Sequence, residues 1–261
     1  MNKIDPQTKP QSSPLSGLNP LAAALQFLTV IPVPISTTQS DMAKSLPWFP
    51  AAGLVCGLAA ALFFLLAHAL GLPPMVAGLI GILALSGFNG FFHLDGVADT
   101  ADGFFSARPK EKILDIMHDS RIGTMGAAGL FFVLAIKWSA LAAMTPADGW
   151  RALIIAAILA RGALVLAMGI LPYARKEGGL VSVFLTERMP SQMVFVSVFG
   201  LLAAAALGGI AGIAALLFAV AAVVVFNFFG MQKIGGITGD TLGAQTEITE
   251  AAVLIVMCAA Q

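Results

Sequence analysis

After residue 46 the chain is a succession of apolar runs, each about twenty residues long, and this limits its fold more than any other feature. A hydrocarbon layer about 30 Å thick is crossed by roughly 20 residues of α-helix, whose backbone groups satisfy one another internally. Only 11% of the 261 residues are charged and 58% are hydrophobic, with a mean hydropathy of +0.91. Soluble domains carry about a quarter charged residues, so this surface could not face water. The expected fold class is all-α, a polytopic transmembrane helical bundle of about six to seven spans with short amphipathic cytoplasmic helices.

The apolar runs place spans at 47–70, 74–94, 122–144, 150–171, 192–208, 211–229 and 248–260. The segment 21–31 is too short to cross a bilayer and ends at Pro32 and Pro34, which predicts an interfacial or re-entrant piece covering the active face. The polar, Pro- and Ser-rich start lacks the basic residues and immediate apolar run of a cleavable signal. Residues 1–18 are expected to be a disordered tail and residues 19–261 a single integral membrane catalytic domain. Cys56 and Cys258 lie in apolar windows at opposite ends of the chain and read as small core residues. Fourteen basic and fourteen acidic residues leave a net charge of zero, which excludes the basic field of a nucleic-acid-binding protein.

Charge placement gives a topology. Arg108, Lys110, Lys112 and Arg121 fall in one connection, Arg175, Lys176 and Arg188 in another, and Lys233, Lys3, Lys9 and Lys44 belong to the same side. The opposite connections, 71–73, 145–149 and 209–210, hold no Lys or Arg. Basic loops face the cytoplasm, so the N-terminus and every long polar segment are expected inside, where nucleotides and magnesium are available.

Three polar segments on that side carry the candidate chemistry. In the first, Asp95, Asp99 and Asp102 stand at i, i+4 and i+7 directly after an apolar span, on one helical face. Their mutual repulsion is relieved by a cation, and an all-oxygen set suits a hard divalent ion such as magnesium rather than zinc. In the second, Asp115 and Asp119 again stand at i and i+4 on a short amphipathic helix that brings two more carboxylates toward the metal. In the third, 235–244, glycines free backbone amides and Asp240 sits at a helix start, an arrangement able to cradle phosphate or ligate metal. His93 borders the first group as a phosphate contact, and His118 borders the second.

Charges within spans call for partners. Arg161 in the fourth span is assigned to an anionic substrate or to a carboxylate of 95–119, whereas Lys137, beside Trp138, is expected to snorkel to the outer interface. Arg121 and Arg175 join Arg161 as phosphate ligands, since a guanidinium binds phosphate oxygens in bidentate fashion.

The strings HLDGVADTADGF at 93–104, MHDSRIG at 117–123 and GGITGDTLGA at 235–244, together with FLTVIPVP at 27–34 and PYAR at 172–175, resemble the cobalamin synthase family, the adenosylcobinamide-GDP ribazoletransferases. The resemblance runs through nearly the whole chain. It implies a magnesium-dependent enzyme of the bacterial inner membrane, with its active site facing the cytoplasm. In the implied reaction α-ribazole or its 5′-phosphate attacks the corrinoid-side phosphate of adenosylcobinamide-GDP, releasing GMP and completing adenosylcobalamin or its 5′-phosphate. Residues 99–119 partly resemble the CDP-alcohol phosphotransferase signature as well, but the spacing departs from it and Glu111 stands where glycine is required. The rival classes are therefore a phospholipid-forming alcohol phosphotransferase and an ion-coupled transporter. For the transferase, Asp95, Asp99, Asp102, Asp115 and Asp119 are the expected magnesium ligands, Asp95 and Asp119 are catalytic, with Asp119 the general base and His118 its rival, and His93, Arg121, Arg161, Arg175 and Asp240 bind substrate. The lipid bilayer is the expected surrounding, no nucleic acid is expected, and a homo-oligomer is left open.

Overall fold

Prolines open four of the long helices, at Pro50, Pro74, Pro146 and Pro190, where the missing N–H is one the first turn would leave unpaired in any case. The computed structural model describes residues 16–175, 178–187 and 189–261. The expected tail therefore falls largely outside the described residues, as do Lys3, Lys9, Lys176 and Arg188. The described helices are α1 (Asn19–Leu28), α2 (Gln39–Ala43), α3 (Phe49–Ala69), α4 (Pro74–Gly87), α5 (Phe92–Phe104), α6 (Lys110–Ile116), α7 (Thr124–Ala143), α8 (Pro146–Ile170), α9 (Pro190–Ile234) and α10 (Gly239–Ala259). Among the described residues there is no strand, only an isolated bridge between Tyr173 and Ile237. The protein is a polytopic all-α membrane protein. Five helices are long and apolar enough to cross a bilayer, and the bent pair α4 and α5 brings the number to as many as six.

α8 is the central helix, with 78% of its most apolar window buried, and α9 is peripheral, with 17%. Ile210, Leu217, Val225 and Phe228 on α9 and Phe131 and Phe132 on α7 stand exposed, an outer surface suited to lipid. The spans expected at 192–208 and 211–229 are the two arms of α9. Gly209 between them is non-helical (φ 55°, ψ −133°), and a Cβ on Gly212 would overlap the carbonyl oxygen of Ala204. Eight residues along a straight helix span about 12 Å, so this overlap requires the chain to double back.

Two expectations are corrected. The acidic stretch does not continue the second span: α4 ends at Gly87, and α5 leaves it at 88°. Gly90 (φ 67°) and Phe91 (φ 60°) are both left-handed, and two such residues in succession break a right-handed helix. Nor does the last span begin at 248, because α10 starts at Gly239 and carries the polar residues 240–250 into the bundle.

One end of the bundle gathers the long connections. At the other, Trp138 Nε1 donates to the Met75 carbonyl, Thr145 N donates to the Gln261 side chain, and Gly208 packs on Met257. The only described Lys or Arg at this second end is Arg151, beside Asp148 at 3.6 Å.

Candidate active site

α5 and α10 cross so closely that only glycine fits. A Cβ on Gly96 would lie 2.5 Å from the Asp240 carbonyl oxygen and 3.1 Å from the Gly243 Cα, and one on Gly243 would lie 3.2 Å from the His93 carbonyl oxygen. This crossing brings the acidic face of α5 to the first turn of α10. Thr238 caps that turn, accepting from Thr241 N at 3.2 Å, while the Thr241 hydroxyl accepts from Thr238 N at 2.8 Å. Asp240 is thereby held at a helix start, as expected. Ala174 N donates to Ile237 O (2.8 Å) and Ile237 N donates to Pro172 O (2.9 Å). The bridge sets Arg175 beside Asp240, and Arg175 Nη2 donates to its carboxylate at 2.8 Å. Nη1 of the same guanidinium lies 3.5 Å from His118 Nδ1.

Asp95 is exposed and Asp99 half-buried, and Asp99 lies within Coulombic reach of Asp95, Asp102 and Asp240, with Arg175 as the compensating charge. Asp102 is turned to another task. Its two oxygens accept from Gly123 N (2.6 Å) and Gly126 N (2.8 Å), which pins the start of α7 to α5. Asp115 is exposed on α6, 3.4 Å from Lys112.

A cavity of about 670 Å³ opens over this cluster. His93, Asp95, Lys110, Glu111, Asp115, His118, Tyr173, Arg175 and Asp240 form its polar wall, Asp99 and Asp102 stand behind it on α5, and Phe27, Phe49, Phe92 and Phe184 lie on its apolar side. The Phe27 and Phe184 rings are 4.8 Å apart, and those of Phe49 and Phe184 are 5.4 Å apart. Phe27 and Leu28 belong to α1, the short segment expected to cover the active face.

Several assigned residues lie elsewhere. Asp119 is not on the cavity wall. Arg121 binds it through Nη2 at 2.5 Å and Nε at 3.0 Å and holds its carboxyl at about 2, which makes it a poor proton acceptor near neutrality. Arg121, committed to Asp119, is likewise off the wall, whereas His118 is on it. Arg161 is fully buried against Glu250 of α10 and does not reach the cavity. Lys137 does not snorkel but is also fully buried, donating to Glu247 and Glu250 at 2.6 Å each. Sequence reasoning missed Lys110 as a site residue, the aromatic side and these two glutamates. The signal for the glutamates was two acids at i, i+3 within an apolar helix.

Among the described residues no three His, Cys, Asp or Glu side chains draw together as a ready metal cage. Magnesium does not require one, since it is commonly held by one or two carboxylates together with waters and substrate phosphates. The clustered charge of Asp95, Asp99 and Asp240, opposed by the single guanidinium of Arg175, fits a cation bound in that way.

The family model described as Cobalamin-5-phosphate synthase matches residues 20–258. Three similar curated proteins each bear the name adenosylcobinamide-GDP ribazoletransferase. The one from Clostridium novyi is 36% identical, over 88% of this chain and 92% of its own. That from Chlorobaculum parvum is 37% identical (92% and 94%), and that from Klebsiella pneumoniae 38% (90% and 97%). No solved structure matches.

Proposed function

From the premise that this chain belongs to the Cobalamin-5-phosphate synthase family and is a ribazoletransferase, we propose a specific reaction and site. The enzyme transfers the adenosylcobinamide phosphate moiety from adenosylcobinamide-GDP to a ribose hydroxyl of α-ribazole or its 5′-phosphate. A phosphate ester forms at the corrinoid-side phosphorus, the pyrophosphate P–O bond breaks, and GMP leaves with the bridging oxygen. The observation that carries this reading is one cavity whose polar wall joins an acidic helix face to Arg175, Lys110 and His118.

Asp95, Asp99 and Asp240 are the residues that would hold magnesium, and the chemistry it supplies when bound is neutralisation of charge on the pyrophosphate. Arg175 and Lys110 bind the nucleotide phosphates, the first through a planar fork and the second as a point charge. His118 takes over from Asp119 as the acceptor of the ribose hydroxyl proton, because it lines the cavity and Asp119 does not. Phe27, Phe92 and their aromatic neighbours give the cavity a dry side, which strengthens the charge interactions opposite. The concentration of Lys and Arg at the cavity end supports placing it at the cytoplasmic face of the bacterial inner membrane.

Purified protein in lipid nanodiscs, given adenosylcobinamide-GDP and α-ribazole, is expected to release GMP and form the joined corrinoid only when magnesium is present. Asp99→Asn should abolish product while leaving the protein inserted and folded. Turnover of a CDP-lipid with an alcohol in place of this reaction would overturn the substrate reading, and wild-type rates in Asp99→Asn would overturn the metal assignment.

A further inference from the structure

Four ionisable side chains that the transfer chemistry does not use lie wholly inside the bundle. Lys137 on α7 donates to Glu247 and Glu250 on α10 at 2.6 Å each, and Arg161 on α8 donates to the other oxygen of Glu250. All four are fully buried. Two cations and two carboxylates sum to zero, the condition under which such a group is tolerated in a low-dielectric interior. Glu250 bridges both cations, so α7 and α8 are tied to α10 through one residue. Gln245 adds α9 by accepting from Asn227 at 2.8 Å.

Apolar burial supplies little of this tie. Lipid tails are as apolar as leucine, so between membrane helices close packing and polar contacts, rather than burial, fix how far one slides along another. Directional ion pairs do fix it, and setting register is the best-attested use of buried polar groups. The register matters here because Asp240 stands seven residues before Glu247 on α10, about 10 Å along the axis. Between them Gly243 packs on the backbone of His93, and Arg161, Glu250 and Lys137 lie within Coulombic reach of His93, which lines the cavity.

We infer that Lys137, Arg161, Glu247 and Glu250 form an electroneutral positioning device that fixes the height and rotation of α10. Through the Gly96 and Gly243 crossing it also fixes the acidic face of α5 beneath the cavity. Its effect on rate rests on the proposed reaction, whereas its effect on helix order does not.

The test uses the full chain in lipid nanodiscs with two variants that preserve charge balance: Lys137→Met/Glu247→Gln, which removes one cation and one anion, and Glu250→Asp, which shortens the bridge by one methylene. Both are expected to raise amide hydrogen exchange in residues 92–99 and 239–246 by about tenfold or more. Both should lower kcat by about tenfold or more with KM changed less than about twofold, the pattern of a misplaced catalytic floor. Wild-type exchange in those two segments overturns the inference, whether or not kcat falls. Raised exchange with unchanged kcat per folded molecule also overturns it, since it reduces the cluster to a structural support. If the double variant does not fold, Glu250→Asp decides on the same terms. If the wild-type enzyme does not perform the transfer, the substrate reading fails and exchange alone decides.

Discussion

Replacing Gly96 by alanine tests whether the crossing of α5 and α10 sets the geometry of the site. The added Cβ would lie 2.5 Å from the Asp240 carbonyl oxygen and 3.1 Å from the Gly243 Cα, with no flexible side chain able to yield. Ordinary contact begins near about 3.5 Å, so the two helices must part by roughly 1 Å. Overpacking of this kind costs about 1–3 kcal/mol, which a folded bundle can absorb. A displacement of about 1 Å between groups that must act together can cost on the order of a hundredfold in rate. GMP release in nanodiscs should therefore fall about a hundredfold in Gly96→Ala, while thermal unfolding shows a cooperative transition at somewhat lower Tm. Gly17→Ala is the control, since nothing lies within 4 Å of a Cβ there. A folded Gly96→Ala enzyme with wild-type kcat would refute the claim that this close passage aligns Asp95 and Asp99 with Asp240.

Arg175→Ala should raise KM for adenosylcobinamide-GDP by about ten- to a hundredfold, with Arg175→Lys recovering only part of the loss because one ammonium cannot hold Asp240 and phosphate together as a fork does. Asp119→Asn should leave the pH dependence of kcat unchanged between about pH 5 and pH 9, whereas His118→Asn should alter it. The sign follows from Arg121, which holds the exposed Asp119 carboxyl at about 2, so Asp119 stays ionised across that whole range, and the small contribution of this solvent-screened pair to stability fades as pH falls from the ordinary carboxylate range toward about 2. A changed profile in Asp119→Asn, measured by steady-state kinetics, would return the base to that residue.

Spans were legible because the bilayer imposes one length on every helix, so the runs at 122–144 and 150–171 locate the helices at 124–143 and 146–170 to within four residues. The turn between α4 and α5 was not, since a single Asn and a single Gly are too few to end an otherwise apolar run, and two left-handed residues in succession make the turn. The acidic face of α5 was visible as a spacing, and Asp240 as a helix start. Which carboxylates face the cavity was not, because Asp102 and Asp119 are claimed by Gly123, Gly126 and Arg121 through contacts that no periodicity encodes. Lys137 was misread for the same reason: its partners lie 110 and 113 residues away.

The low burial of α9 bears on which positions tolerate change. A side chain such as Val225 or Phe228 meets acyl chains, a fluid that reshapes itself around whatever it touches, so exchanges among Val, Leu, Ile and Phe there leave no cavity behind. Ile155 or Leu153 on α8 is surrounded by fixed neighbours, and the same exchange leaves a void or a clash. Two helices of similar composition should thus differ in the variation they admit, the outer one held to solubility in hydrocarbon and the inner one to shape.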